Sequence, residues 1–210
     1  MDKSLRVLWT IISQDTPRAL RHCSHCGSEQ RFRSSGRFRL NANGRRICAW
    51  LIYKCAACDH TWNRPLLERR PLAGLAPALL DALRRNDSDL ASRVAFDVTS
   101  LRRHCKDVEQ ASDTTVHKLV VSRVSGAVQR LEIRLAVPQA TALRLDRLLN
   151  RELGLSRKRL QALCTEMRLI LAPEGSRALR RAVRDGGSVI LDLSREADAA
   201  ALAVAAGDDQ

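Results

Sequence analysis

The sequence predicts an α+β protein in three parts: a small β-rich unit, a helical linker carrying a β-hairpin, and a C-terminal unit of two helices with short strands. Three observations predict this. Of the aromatic residues, Trp9, Phe32, Phe38, Trp50, Tyr53 and Trp62 all lie before residue 63 and only Phe96 lies beyond, so the first third and the remainder must be built around different cores. Four cysteines fall in two close pairs within that first third and bracket β-prone runs. Near the C-terminus the apolar residues recur at helical spacing instead. The expected divisions are residues 1–70, 71–138, 139–193 and an acidic tail, 194–210, expected to be disordered although its alanines permit a short helix.

Within 1–70 the chemistry is carried by Cys23 and Cys26 in HCSHCG and by Cys55 and Cys58 in KCAACDH. Two residues between paired cysteines let one tight turn aim both sulfurs at one point. Two such turns supply the four thiolates of a tetrahedral zinc site, closed to substrate water and therefore structural. GRFRLNANGRR alternates through Phe38 and Leu40 into Asn43-Gly44, a two-residue hairpin signal. The run Ile47–Tyr53 is a β-prone stretch that feeds into Cys55, and Trp62 marks a third short strand. Knuckle, hairpin, knuckle and strand is the layout of a zinc ribbon, with one structural zinc as the expected cofactor. A redox Cys-x-x-Cys needs only one pair, between a strand and a helix. His22, His25 and His60 beside the knuckles are read as bystanders, and Cys48, Cys105 and Cys164 have no partner at metal spacing.

In 71–138, Leu79, Leu80 and Leu83 predict a helix over 77–86, and Leu90 and Val94 a second over 88–96. Residues 106–114 read as loop. VHKLVVSRV, a turn at Ser125-Gly126 and the alternating Leu131, Ile133, Leu135 and Val137 read as a hairpin ended by Pro138.

In 139–193, Leu145, Leu148, Leu149 and Leu153 share a helical face that Gly154 stops. Ser156 is a natural N-cap for a second helix bearing Leu160, Leu163, Cys164 and Met167. A strand from Leu169 to Leu171, a turn at Asp185-Gly186-Gly187 and a strand from Ser188 to Leu193 complete the unit. Directly after the cap stand Arg157, Lys158 and Arg159, where the positive end of a helix favours carboxylates. Cations there, next to free N–H groups, make a phosphate site. The alternative is that their long side chains simply splay into solvent.

The chain carries 36 Lys and Arg against 23 Asp and Glu, a net charge of +13 with an isoelectric point near 10.4. The excess is concentrated before residue 71 and again over 140–193. Such a balance points to an anionic partner, most often nucleic acid, unless the arginines only cover solvated faces. Arg6 interrupts the apolar opening, and no stretch approaches the roughly 20 apolar residues of a spanning helix. The expectation is a soluble cytoplasmic protein with no membrane partner. Paired carboxylates, a nucleophile elbow and a phosphate loop are all missing, so neither an enzyme, catalytic residues nor a small-molecule substrate is expected.

RLDRLL, GLSRKRLQALCTEMRL and DGGSVILDL, across residues 143–193, resemble the S-four-type RNA-binding domain. The resemblance implies that Arg144, Ser156, Arg157 and Arg159 touch RNA phosphates, and Lys158 joins them on charge alone. VLWTI, RHCSHCG, FRLNANG, WLIYKCAACDHTWN and RNDSDLASRVAFD, spread over most of 5–195, resemble an uncharacterised bacterial family known only as a domain of unknown function, number 1062. Together these features predict a zinc-containing protein that binds structured RNA, ribosomal or transfer, in preference to DNA. The alternatives are a DNA-binding or transcription-associated zinc-ribbon protein and a protein-interaction scaffold.

Overall fold

The computed structural model describes residues 3–110, 112–122, 126–175 and 177–208. Among them the fold is mixed α+β, with two five-stranded sheets, six α-helices and more strand than helix. The chain divides into two compact units, one of Asp15–Ala111 and one that joins Met1–Gln14 to Ser112–Gln210.

The Asp15–Ala111 unit contains β2 (Arg18–Cys23), β3 (Ser28–Asn43), β4 (Arg46–Cys55), β5 (Thr61–Pro71) and β6 (Asp107–Glu109), in the sheet order β5-β4-β3-β2-β6 with every pair antiparallel. Period-two alternation sends Phe32, Phe38, Ala49, Leu51 and Tyr53 to one face, all buried. They meet Leu83, Ala91, Ala95 and Leu101 from α1 (Pro77–Arg85), α2 (Ser88–Phe96) and α3 (Val98–Arg102) in one core. Proline at the first position starts α1, and Asn86, left-handed at φ 53°, ends it. The Asn86 Oδ1 accepts from Phe38 N at 2.6 Å, tying the helix end to the sheet. Asp87 and Asp97 cap α2 and α3 by accepting from Leu90 N and Ser100 N at 2.8 and 2.9 Å.

Arg64 is buried on this same inner face. Its guanidinium donates to Val94 O at 2.8 Å and Asp97 O at 3.2 Å, carbonyls at the C-terminal end of α2, and to the Tyr53 hydroxyl at 3.2 Å. The negative end of a helix dipole is the favourable place for such a cation. Burial pushes the Tyr53 hydroxyl above its usual range, with Arg64 opposing.

In the second unit β1 (Ser4–Ser13), β7 (Thr114–Ser122), β8 (Arg130–Ala136), β9 (Leu169–Ala172) and β10 (Ser188–Asp192) form a sheet of order β7-β1-β8-β10-β9. β1 runs antiparallel to β7 and parallel to β8. Leu5, Val7, Trp9 and Ile11 of β1 join Leu131, Ile133 and Leu135 of β8 in a core closed by Leu148 and Leu149 of α4 (Leu145–Leu153) and Leu160 and Leu163 of α5 (Arg157–Thr165). Gly154, at φ 67°, stops α4 as its sequence position indicates.

Three sequence expectations are corrected. The tail is ordered through Asp208: α6 (Ala199–Gly207) buries Leu202 and Ala206 in this core. Trp9 Nε1 donates to Ala206 O at 2.8 Å and Lys118 Nζ to Ala205 O at 2.9 Å, which fixes the last turn of α6. The opening segment does not belong with the cysteine-bearing unit, because β1 finds its partners at 114–122 and 130–136. The linker is likewise not a separate part. Its helices complete the first unit's core, its hairpin strands β7 and β8 are separated by β1, and Asp107–Glu109 is an edge strand beside β2 where loop was expected. Ser125, expected in the hairpin turn, lies outside the described residues.

Candidate metal centre and nucleic-acid interface

The two cysteine pairs are built alike. β2 ends at Cys23, and the turn that follows closes with Gly27 N donating to Cys23 O at 2.9 Å. β4 ends at Cys55, and Asp59 N donates to Cys55 O at 3.0 Å. Gly27 and Asp59 both take the left-handed conformation, φ 67° and 56°, that lets each turn reverse into the next strand. Pairing of β3 with β4 sets Phe32 across from Cys55, and Ala56 N donates to Arg31 O at 2.8 Å, so the second turn is fixed against the strand that follows the first.

The four Sγ atoms consequently converge, all within 4.8 Å of one another. Cys23 and Cys58 approach to 3.7 Å and Cys26 and Cys55 to 4.0 Å. A tetrahedron with metal–sulfur bonds of about 2.3 Å has edges of about 3.8 Å, so the four cysteines could hold one metal ion. Disulfides are not formed: all seven cysteines are free thiols. Cys23 and Cys55 are buried, while Cys26 and Cys58 are half-buried. Burial alone would raise the Cys23 thiol, but the backbone N–H groups of Cys26 and His25 and the neighbouring thiols bring it down to about 7. Hydrogen bonding to the Cys58 thiol and burial push Cys26 up to about 12. Crowded sulfurs cannot all ionise by themselves, and a central divalent cation is what lets them do so.

None of the histidines joins the cluster. His25 and His60 stack at 6.3 Å between ring centroids, and His60 Nε2 lies 3.2 Å from Ser24 Oγ, bracing the two turns from outside. Cys48 and Cys105 are also apart from it: Cys48 Sγ accepts from Arg69 N, and Cys105 Sγ bonds Leu101 O and Asp107 O.

The five residues of the expected phosphate site are gathered around the start of α5. Ser156 caps it, accepting from Arg159 N at 3.2 Å. Lys158 is exposed and forms no ion pair among the described residues. Arg157, also exposed, lies 3.4 Å from Asp146, a buried carboxylate on α4 that Arg144 holds from the other side. Arg159 is half-buried and engaged by Asp198 and Glu196, whose hydrogen bonds raise its pKa further, while Arg159 in turn lowers that of Asp198. A phosphate reaching Arg159 would have to displace those carboxylates.

Sequence reasoning missed Asp146, Glu196 and Asp198. Asp146 carries the ordinary signal of a first-turn carboxylate, which gives no hint of its two arginine partners. Glu196 and Asp198 sit in the segment read as disordered.

An open cavity of about 720 Å³ adjoins the α5 start, with Asp146, Arg157, Gln161, Thr165 and Arg180 among its lining residues. Among the described residues no helix is long and apolar enough to cross a membrane.

The family model of DUF1062, described as a protein of unknown function, matches residues 40–174. The match takes in the second cysteine pair, the helices of the first unit, and α4 and α5. No curated protein and no solved structure matches the chain.

Proposed function

Because the chain belongs to the DUF1062 family, whose description names no activity, its function rests on its own residues, and we propose that it binds structured RNA and carries one structural zinc ion. Cys23, Cys26, Cys55 and Cys58 would hold the zinc. The converging sulfurs, spaced close to tetrahedral edges, support this. Four soft thiolates in tetrahedral geometry suit zinc and close its coordination shell, leaving no position for reacting water. Bound zinc would supply folding energy to the Asp15–Ala111 unit. Metal analysis of the purified chain should return about one zinc per chain. A chain free of zinc that folds fully would contradict the assignment.

The RNA reading is carried by one observation: two exposed cations, Arg157 and Lys158, occupy the first turn of a capped helix, where the helix dipole opposes them. In that reading the two meet backbone phosphates directly. Arg144 shares the Asp146 carboxylate with Arg157 and so sets the side chain's direction, while Arg159 anchors the turn to Glu196 and Asp198. Ser156 fixes the turn by its cap. The helix–helix–strand–strand order of α4, α5, β9 and β10 supports the S-four-like resemblance. The protein is proposed as a binder, not a catalyst.

The test is competition binding at matched salt between a structured stem–loop RNA and a DNA duplex of equal length. RNA-selective binding whose logarithm falls linearly with the logarithm of salt supports the reading. Duplex selectivity would turn it to DNA, and a lack of any salt-dependent binding would leave a protein scaffold.

A further inference from the structure

The Asp15–Ala111 unit has a second face that the cysteine cluster and the C-terminal cations leave unexplained. Among the described residues the helices of this unit pack on the side of its sheet that bears Phe32, Phe38, Leu51 and Tyr53. Alternation puts Arg33 and Arg39 of β3, and Trp50, Ile52 and Lys54 of β4, on the opposite side. Arg33 and Arg39 are exposed there; Trp50, Ile52 and Lys54 are half-buried.

The strand register makes this a patterned surface. Arg39 lies directly across from Trp50, and Arg33 directly across from Lys54. Residues so paired have Cβ atoms about 4.5–5.5 Å apart. Between the two pairs β3 bulges, so that the segment between Ser34 and Phe38 faces the single residue Ile52, with Gly36 supplying the left-handed turn at φ 69°. Arg37, in the bulge, is exposed. Neither Arg37 nor Arg39 forms an ion pair among the described residues, whereas Arg33 is partnered by Asp59 at 3.3 Å. Lys54 is held by Thr61 Oγ1 at 2.7 Å.

We propose that this outer sheet face, with Trp50 as a stacking residue and Arg37 and Arg39 as phosphate contacts, binds single-stranded nucleic acid. Charge selects a polyanion, because Arg37 and Arg39 are exposed guanidiniums with no ion pair among the described residues, while Asp59 engages Arg33 beside them. The indole selects single strands, because only unpaired bases can lie on an aromatic ring, and such stacking tolerates any base. A sheet is a rigid support for both. This surface lies in a different unit from Arg157 and Lys158, so it stands independently of the stem–loop reading.

The experiment uses the intact metal-loaded chain and fluorescently labelled twelve-nucleotide oligouridine, with oligothymidine as a second probe. Trp50→Ala should weaken oligouridine binding about tenfold or more, and Trp50→Phe, which keeps a stacking ring, should retain most of it. Replacing Arg37 and Arg39 together by Ala should flatten the salt dependence by roughly 0.7 per contact. Parallel binding of oligothymidine means the face reads stacked bases and phosphates alone; preference for uridine adds a 2′-hydroxyl contact. Both probes support the proposal if the variants weaken them. Circular dichroism checks that each variant is folded, and the Phe and double-Ala variants carry the test should Trp50→Ala fail to fold. Unchanged affinity and salt slope in the folded variants would overturn the proposal, even if an acidic protein were later found to bind there. Binding of the stem–loop by Lys158→Glu, measured beside these, separates the two surfaces. Loss of stem–loop binding alone leaves the C-terminal reading standing and this one overturned, and loss of oligouridine binding in the Trp50 and arginine variants alone does the reverse.

Discussion

The two units bury very different things. The unit made of Met1–Gln14 and Ser112–Gln210 closes on Leu, Val and Ile from five strands and three helices, with Trp9 at its centre. The Asp15–Ala111 unit closes on Phe32, Phe38, Leu51 and Tyr53, several alanines, and Cys23 and Cys55 themselves. The buried residues of α2 are Ala91 and Ala95, beside Leu83 of α1 and Leu101 of α3, and alanines bury less apolar surface than leucines would. A metal ion binding the four sulfurs would bridge two turns that are otherwise braced by the stacked His25–His60 pair and the Ser24–His60 contact, the second turn also being bonded to Arg31 O of β3. The chain thus combines a unit closed by a large aliphatic core with one whose smaller core sits beside four cysteines that could hold a metal ion.

The largest expected break in this comparison is Cys55→Ser. It should release the metal and unfold the Asp15–Ala111 unit while the other unit keeps its own melting transition, read by calorimetry. A single transition unchanged in temperature would contradict it. Next in size is Leu148→Ala, in the opposite unit. The side chain is fully buried in that core, and the cavity should cost about 2–5 kcal/mol. Metal content, measured alongside, should not change.

Leu202→Ala sharpens the comparison at the tail. Leu202 is buried, and its truncation should cost about 2 kcal/mol or somewhat more, whereas a disordered tail would cost nothing. The tail should also respond to acid. The Arg159 pair holds the Asp198 carboxyl below its unfolded value of about 3.9. Its contribution is therefore present above that pH and is lost as pH falls through the lower folded value. Proteolysis of the α6 segment should accelerate below about pH 4 and be insensitive to pH between 5 and 7.

The smallest stability effects carry the most functional information. Lys158→Glu should leave the melting temperature unchanged or raise stability by a few tenths of a kcal/mol, since a carboxylate suits the first helical turn. Arg157→Glu should instead lower stability, by about 0.5–1 kcal/mol, because it removes one partner of the buried Asp146 and adds a like charge. Both should weaken stem–loop binding. If Lys158→Glu binds as the parent does, the exposed cations are only solvated.

Local signals are legible in this sequence, and long-range pairings are not. Pro77, Gly154 and Ser156 bound helices where their backbone preferences require. The Cys-x-x-Cys spacing brought four sulfurs together because the turn itself, closed at Gly27 and Asp59, sets the geometry. The hairpin after Asn43 forms, with Gly44 and Arg45 as its two turn residues, one place further on than expected. By contrast, Leu5, Val7, Trp9 and Ile11 alternate as a strand should, but no local feature states that their partners lie at 114–122 and 130–136. The tail is the same case. Its stretch AAALAVAAG is apolar all round, so no polar side marks out a buried face, and its docking rests on Leu202 and Ala206 in the core and on donors from Trp9 and Lys118 to its last carbonyls. Arg159 was legible as a misplaced cation, while the carboxylates that answer it were hidden in the segment read as disordered.

Amide hydrogen exchange on the intact chain, before and after removal of metal by a strong chelator, tests the contrast between the units most directly. The account predicts that amides of β2 to β6 and α1 to α3 lose protection on chelation and regain it when zinc is restored, while those of β1, β7 to β10 and α4 to α6 hold theirs throughout. Protection that survives chelation in both units, or that falls equally in both, would contradict it.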